Sequence, residues 1–487
     1  LDKAFHFAIP QIAWTAVLPI AIVAVTGMIA LIAEMMRPKH NNNLLVGISL
    51  GGLALSAVAS LLLLEQPSYL TAGDLLARDP FASVMHLLML LATALSIVFS
   101  EDYLRQKRIP FGEFYPLILW STVGAMIMVA TTNLLMIFLG LEILSVSLYV
   151  MAGMSRKEEK SEESALKYFL LGAFASGFLL YGIAFVYGAT GGLDLNVIGS
   201  VWLHHDPTSR TLLIFGLSLM LIGLGFKTSL VPFHQWTPDV YQGAPTNVAA
   251  FMATSAKIAA FAALARVLGA FTSLQEIWLP ALTTIAILTM FVGNFAALVQ
   301  KDVKRILGYS SIANAGYLLV AIIAYGKNWN VGFGTIAYFL LSYTLMTVGA
   351  FAVVTLMAKN GRESTRLEDL NGMWRRSPFA ALMLVVFMAS LIGIPPTAGF
   401  VGKFLIFFDA LRNGLTPLAI VLAVNSIISI YYYMAIARAA FVSDGDQAEA
   451  SATKPSAAVT GVCAVCAAGI FAAVFFFTPL VGMFNLR

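Results

Sequence analysis

Apolar segments of about 20 residues, long enough to cross the ~30 Å hydrocarbon core of a bilayer as helices, recur from one end of this chain to the other. About fourteen spans are predicted, at 11–34, 43–64, 80–100, 113–131, 133–152, 164–189, 211–241, 244–270, 277–300, 303–325, 330–358, 378–411, 415–441 and 456–482. Backbone groups in lipid must pair internally, so a run of this kind implies an all-α polytopic membrane protein. Composition agrees, since 59% of the 487 residues are hydrophobic and only 11% are charged. The net charge of +4 requires no nucleic-acid partner, because the positive residues lie in loops. The first apolar run, after Pro10, lacks a small-residue cleavage site and is expected to be a retained span.

The loops set the orientation. Of the 29 Lys and Arg residues, 18 fall on one side of these spans and 7 on the other. The first side is therefore predicted to be cytoplasmic, with both termini outside. The remaining four are Lys167, Lys227, Lys257 and Lys403. Lys227, Lys257 and Lys403 lie well inside spans, and Lys167 falls in the first turn of the sixth. Among acids, Glu142 alone lies deep in a span, while Glu34 and Asp409 sit near span ends. Four deep charges cost on the order of 10 kcal/mol before pairing. Simple packing ion pairs would account for one such group more easily than for three separate lysines.

Two spans add a further constraint. The seventh and twelfth are too long for one straight crossing, and prolines interrupt both: Pro232 in Gly225–Pro245, and Pro395 with Pro396 in Gly393–Phe404. Lys227 precedes its proline and Lys403 follows the proline pair. Broken helices at membrane depth are tolerated where protein or a water-filled cavity satisfies the freed backbone groups, so a lysine beside each break points to an ion path. Each broken helix is the fourth of five, in helices four to eight and nine to thirteen. An odd-numbered repeat re-enters the membrane in the opposite sense, so these are expected to be two inverted five-helix repeats. The organisation is then an N-terminal three-helix region (1–110), a first repeat (111–272), a second repeat (273–442) and a C-terminal helix (443–487).

Other features carry two readings each. His234 follows the first break and is either a proton relay near neutral pH or a helix-end cap. His86 is read as structural. Cys463 and Cys466 form a CxxC inside the last span, where helix packing is favoured over a metal or redox pair. Gly402-Lys403 resembles the end of a phosphate loop, but Phe404 stands where Ser or Thr is needed. The acidic run at Glu158, Glu159, Glu162 and Glu163 reads as a solvated face or a cation-attracting entrance. Segment 359–377 reads as a cytoplasmic linker touching lipid headgroups.

The stretch GFKTSLVPFHQWTPDVYQGAP at Gly225–Pro245, together with KDVKRILGYSS at Lys301–Ser311 and the Gly393–Phe404 break, resembles the antiporter-like membrane subunits of respiratory complex I over nearly the whole chain. The resemblance implies a fourteen-helix core with proton-path residues at Glu142, Lys227, Lys257 and Lys403, and with Lys167 near the glutamate. It implies no cofactor in this chain, and flavin, iron–sulfur clusters and quinone in partner subunits. It also implies neighbouring antiporter-like subunits and lipid as partners, in a bacterial inner membrane. Lys403 stands where the middle paralogue carries glutamate, and no long lateral helix follows the fourteenth span, which favours the remaining paralogue. The expected mechanism pairs Glu142 with Lys227 in one state and passes a proton along Lys257 toward Lys403 when the pair breaks. A subunit of a multisubunit cation/proton antiporter or of a membrane-bound hydrogenase of the same fold, and a passive scaffold, are the competing readings.

Overall fold

In the computed structural model, the described residues are 12–36, 42–109, 112–201, 207–327, 333–359, 362–363, 365–441 and 456–484. Several loop charges counted for orientation (Lys3, Arg37, Lys39, Lys454 and Arg487) lie outside them. The helices are α1 (Trp14–Met36), α2 (Asn43–Leu62), α3 (Pro80–Gln106), α4 (Phe114–Val129), α5 (Leu134–Ala152), α6 (Glu159–Thr190), α7 (Leu195–Val201), α8 (Pro207–Thr228), α9 (Trp236–Gly243), α10 (Thr246–Phe251) and α11 (Lys257–Ala270). The second half holds α12 (Gln275–Leu298), α13 (Val303–Lys327), α14 (Gly334–Val354), α15 (Met373–Arg376), α16 (Pro378–Ile392), α17 (Ala398–Arg412), α18 (Thr416–Phe441), α19 (Ala457–Phe475) and α20 (Phe477–Phe484). Two small antiparallel hairpins, β1 (Tyr69–Thr71) with β2 (Leu76–Arg78) and β3 (Ala358–Lys359) with β4 (Arg362–Glu363), were not foreseen.

Among the described residues, twelve helices are long and apolar enough to span a membrane, and the apolar helices α4 and α16 are shorter. Together they correspond to the fourteen expected spans. The seventh span is α8 and α9, separated by 229–235, and the twelfth is α16 and α17, separated by 393–397. Each gap contains a cis prolyl peptide, at Val231-Pro232 and Pro395-Pro396. All three prolines are exposed and act on the backbone rather than by packing. The packing pattern repeats between halves: α4 lies on α5 and α6 on α8, as α12 lies on α13 and α14 on α16.

Burial follows composition. The α10–α11 stretch is Ala-rich and apolar all round, and every residue of its central window is buried. Helices α13 and α14 are nearly as enclosed, whereas α1, α6, α12, α18 and α19 keep wide apolar faces outward. Local signals fix the helix starts. Asp79 accepts from the Ala82 N–H at 2.7 Å ahead of Pro80, and Asn133 accepts from Leu135 and Met136 at the start of α5. Between α10 and α11 the helix widens to a π turn at Met252–Ala256, directly before Lys257.

Helix α5 is held against α4 by paired glycines. A Cβ on Gly140 would lie 2.7 Å from the Met128 nitrogen and 2.8 Å from the Gly124 carbonyl oxygen, and backbone cannot step aside. Gly140→Val is expected to destabilise the subunit by about 1–3 kcal/mol and to reduce its assembly. Gly177→Ala, where a Cβ meets open space, should be silent. Thermal unfolding in detergent and native gels of both variants check this.

Candidate functional site: a buried lysine axis

The first break positions Lys227 in the last turn of α8. Its side chain is buried, and its ammonium donates to Ser145 Oγ at 2.7 Å and to Tyr168 OH at 2.9 Å. Ser145, on α5, in turn donates to the Leu141 carbonyl. Glu142 does not form a direct ion pair with Lys227. Its carboxylate, half-buried at the seam of α5 and α6, accepts a hydrogen bond from Ser176. A cavity of about 10 Å³ lies here, lined by Ser145, Tyr149, Ser176 and Lys227 among others, which is room for about one water. The expected pair is therefore a pair across hydroxyls and a water-sized space.

Lys167 is the clear correction. Helix α6 begins at Glu159, five residues before the expected start, so Lys167 sits in the third turn and not the first. It pairs with Asp239 at 2.8 Å and Glu163 at 2.6 Å, on the half-exposed side of the molecule, and not with Glu142. Asp239, on α9, also accepts from Arg305 at 2.6 Å. The charge census passed over Asp239, although it stands inside the conspicuous Gly225–Pro245 stretch.

Lys257, at the start of α11, donates to the Ser311 carbonyl at 2.7 Å and to Ser311 Oγ at 2.5 Å. Tyr343 OH donates to the same hydroxyl at 2.9 Å. Lys403, in the second turn of α17, donates to the Leu391 and Ile392 carbonyls at 2.8 and 3.1 Å. These are carbonyls left free where α16 ends at the break. Its ammonium also lies 4.9 Å from the Tyr317 ring centroid. All three lysines are 4–6% exposed.

Helix α13 bridges the last two lysines. Ser311, Asn314 and Tyr317 recur every three residues, so they share a face. Asn314 donates to the Ser310 carbonyl at 2.9 Å and to Tyr433 OH at 3.3 Å, and its Oδ1 has no partner among the described residues. Asn294 donates to Tyr317 OH at 3.4 Å and to Asn425 at 2.9 Å. The structure thus brings Lys257 and Lys403 onto one polar face. His234 lies between α8 and α9, half-buried, with Nδ1 buried and without a partner among the described residues, and its carbonyl accepts from Thr237. His86 is structural as expected, its ring 3.0 Å from the Met126 carbonyl. Cys463 and Cys466 are buried free thiols. At the end opposite the linker, Arg266, taken as a loop residue, lies within α11 and pairs with Asp79 at 2.7 Å.

Residues 131–429 match the family described as NADH:quinone oxidoreductase/Mrp antiporter, transmembrane. The chain belongs to this family. It is 42% identical over 432 residues to the NADH-quinone oxidoreductase subunit N of Trichlorobacter lovleyi, covering 88% of each chain. It is 40% identical over 472 residues to the NADH-quinone oxidoreductase subunit N 1 of Herpetosiphon aurantiacus, covering 96% of this chain and 95% of that one. A chain in the structure of respiratory complex I from Thermus thermophilus with bound aureothin superposes with a TM-score of 0.81 at 36% identity, over 95% of this chain and 98% of that one. A chain of the Mrp complex from a Dietzia species superposes with a TM-score of 0.84 at 20% identity, over 97% of each, and speaks to the fold alone. The resemblance read from the motifs, and the paralogue favoured by Lys403, are borne out. Within this family fold, the tyrosines and asparagines around the lysines escaped the sequence reading because uncharged polar groups are common in spans.

The two hydroxyl acceptors of Lys227 can be tested directly. Ser145→Ala with Tyr168→Phe leaves a buried ammonium without them, at a cost of about 1–3 kcal/mol per lost partner. NADH-driven proton pumping of the assembled complex in proteoliposomes is expected to fall several-fold, with Ser145→Thr close to the parent. Equal pumping by the double variant removes these groups from the site.

Proposed function

We propose that this chain is a proton-translocating membrane subunit of an NADH:quinone oxidoreductase, working beside other membrane subunits and driven by redox chemistry carried out in partner subunits. One observation carries the reading. Lys227, Lys257 and Lys403 each make two hydrogen bonds, all to hydroxyls or carbonyls. An ammonium has three donors and a neutral amine two. Each lysine can therefore lose or gain one proton with its hydrogen-bonded position kept, which is what a relay requires and a structural ion pair does not. Lysine suits the task because burial readily lets it go neutral, whereas arginine stays charged.

In this reading, the Glu142 charge favours the protonated state of Lys227 across the small space between them. Weakening that influence, by a change at a neighbouring subunit, releases the proton toward Lys257, and the α13 face of Ser311, Asn314 and Tyr317 leads on to Lys403. His234 and waters complete the inlet side. The chain itself binds no redox cofactor; flavin, iron–sulfur clusters and quinone belong to its partners. The excess of basic residues at the linker end supports a cytoplasmic side for that end in a bacterial inner membrane, with the termini on the outer side.

Two experiments test this. Lys403→Arg keeps donors for the Leu391 and Ile392 carbonyls but holds its proton. It is expected to assemble and to pump several-fold less than the parent, and parental pumping by it would defeat the relay role. Lys403→Met is the poorer probe, because it also uncaps two buried carbonyls. For orientation, cysteine at exposed Glu368 should react with an impermeant thiol reagent only from the cytoplasm, and cysteine at Asn196 only from outside. The reverse pattern would invert the assignment.

A further inference from the structure

Glu363 was not among the residues singled out by sequence, yet its carboxylate is enclosed at the linker end. The β3–β4 hairpin inserts it between the two halves of the chain, with its side chain 6% exposed. Oε2 accepts from Tyr103 OH at 2.7 Å, and Oε1 accepts from Thr246 Oγ1. Tyr103 OH in turn accepts from the Thr246 N–H at 3.0 Å. Lys304 stands 3.5 Å and Lys107 3.9 Å from Oε2, and Lys107 also pairs with Glu158. Burial works to raise the pKa of Glu363, but Lys304, Lys107 and the two hydroxyl donors outweigh it and hold the group below the usual carboxylate range. The carboxylate is thus charged at neutral pH.

Two features set this cluster apart from an ordinary staple. Glu363, Lys107 and Lys304 border a cavity of about 770 Å³ that opens at the linker end. Behind Glu363, the helix that starts at Thr246, whose hydroxyl it accepts from, leads to Lys257. On that helix two buried polar atoms, Asn247 Oδ1 and Ser255 Oγ, have no partner among the described residues. Asn247 is tied through its Nδ2 to Ser100 at 3.1 Å, and Ser255 lies in the π turn two residues before Lys257. Unpaired buried acceptors of this kind call for water.

We propose that Glu363 is the positioning residue of a cytoplasmic proton inlet, through which water reaches Lys257 from the cavity bordered by Lys107 and Lys304. This rests on the proton-translocation reading above. The carboxylate fixes the first turn of α10 and neutralises two lysines that would otherwise repel a hydrated proton at the mouth.

Glu363→Gln keeps shape and hydrogen-bonding capacity and removes the charge. In the assembled complex, proton pumping per NADH is expected to fall about twofold or more at pH 8 and to approach the parent at pH 6, where protons are more abundant. Gln242→Cys, which lines the same cavity, provides a readout that a staple would not move. In the Glu363→Gln background a cationic methanethiosulfonate should react with it about tenfold more slowly, relative to a neutral one, than in the parent. Glu363→Asp should restore both readouts toward the parent. Parental pumping at both pH values with an unchanged labelling ratio overturns the assignment, and so does a Glu363→Asp complex that behaves like Glu363→Gln. Should Glu363→Gln fail to assemble, Lys107→Gln reads the same potential with opposite sign; the cationic reagent should then react faster, and an unchanged ratio again overturns it. Lys257→Met tests the underlying reading separately, since undiminished pumping there removes translocation through this chain whatever Glu363 does.

Discussion

A helix broken inside a bilayer must find donors for the carbonyls it frees, and the structure follows from how that demand is met twice. At the first break the donors come from the backbone, one indole and the Thr228 hydroxyl, which reaches the Gly225 carbonyl at 3.2 Å. Leu230 N–H reaches the Gly225 carbonyl at 2.8 Å, Ser229 N–H the Phe226 carbonyl at 3.1 Å, and Trp236 Nε1 the same carbonyl at 2.9 Å. Ser229 adopts a left-handed backbone, φ 65°, to make this turn. The ammonium of Lys227 is left over and reaches across to α5 and α6. At the second break Gly393, at φ 89°, turns the chain, and Lys403 itself caps the carbonyls of Leu391 and Ile392. The repeats are related in architecture but not in chemistry, since one lysine is freed by its break and the other is consumed by it.

This asymmetry gives the axis a direction. Lys227 is bound by hydroxyls, which can accept from an ammonium or donate to an amine. Lys257 has one hydroxyl and one carbonyl. Lys403 has two carbonyls, which only accept. From the first break to the second the acceptors become steadily less able to donate in return. A carboxylate stands near the Lys227 end, behind Ser176 and a space of about one water. A fixed charge in contact would have made a strong buried pair, and a strong pair does not exchange protons readily.

The sequence announced what was expensive and was silent on what was cheap. Each deep lysine is an energetic anomaly, so counting charges located Lys227, Lys257 and Lys403, and the prolines located the breaks. Tyr168, Ser311, Tyr343 and Asn314 cost little in a span and carry no periodic signal, and their lysines lie 54 to 59 residues away or on another repeat. Lys167 was misgrouped because α6 starts at Glu159, which turns the lysine toward Asp239. The π turn before Lys257 left no trace in a run of small residues. Glu158 and Glu163 read as part of a solvated face or an entrance, yet they pair with Lys107 and Lys167, and Glu363, which drew no reading, is enclosed.

Adjacent residues Lys304 and Arg305, at the start of α13, extend this logic. Successive side chains diverge by roughly 100° around a helix, so the two reach different targets. Lys304 takes the Ala244 carbonyl at 2.7 Å and lies against Glu363, while Arg305 takes Asp239 and Gln242 at 2.6 and 3.2 Å. All the first-repeat targets fall in the stretch from α9 to α10, between the first break and Lys257. That stretch is therefore gripped from the second repeat at both ends of a single turn. Sliding α9 past α13 would separate Asp239 from Arg305 and Ala244 from Lys304 together, leaving two cations without these partners. The cheaper motion keeps α9, α10 and the start of α13 as one block, and concentrates movement at the break beside Lys227, where the ammonium is held only by side-chain hydroxyls.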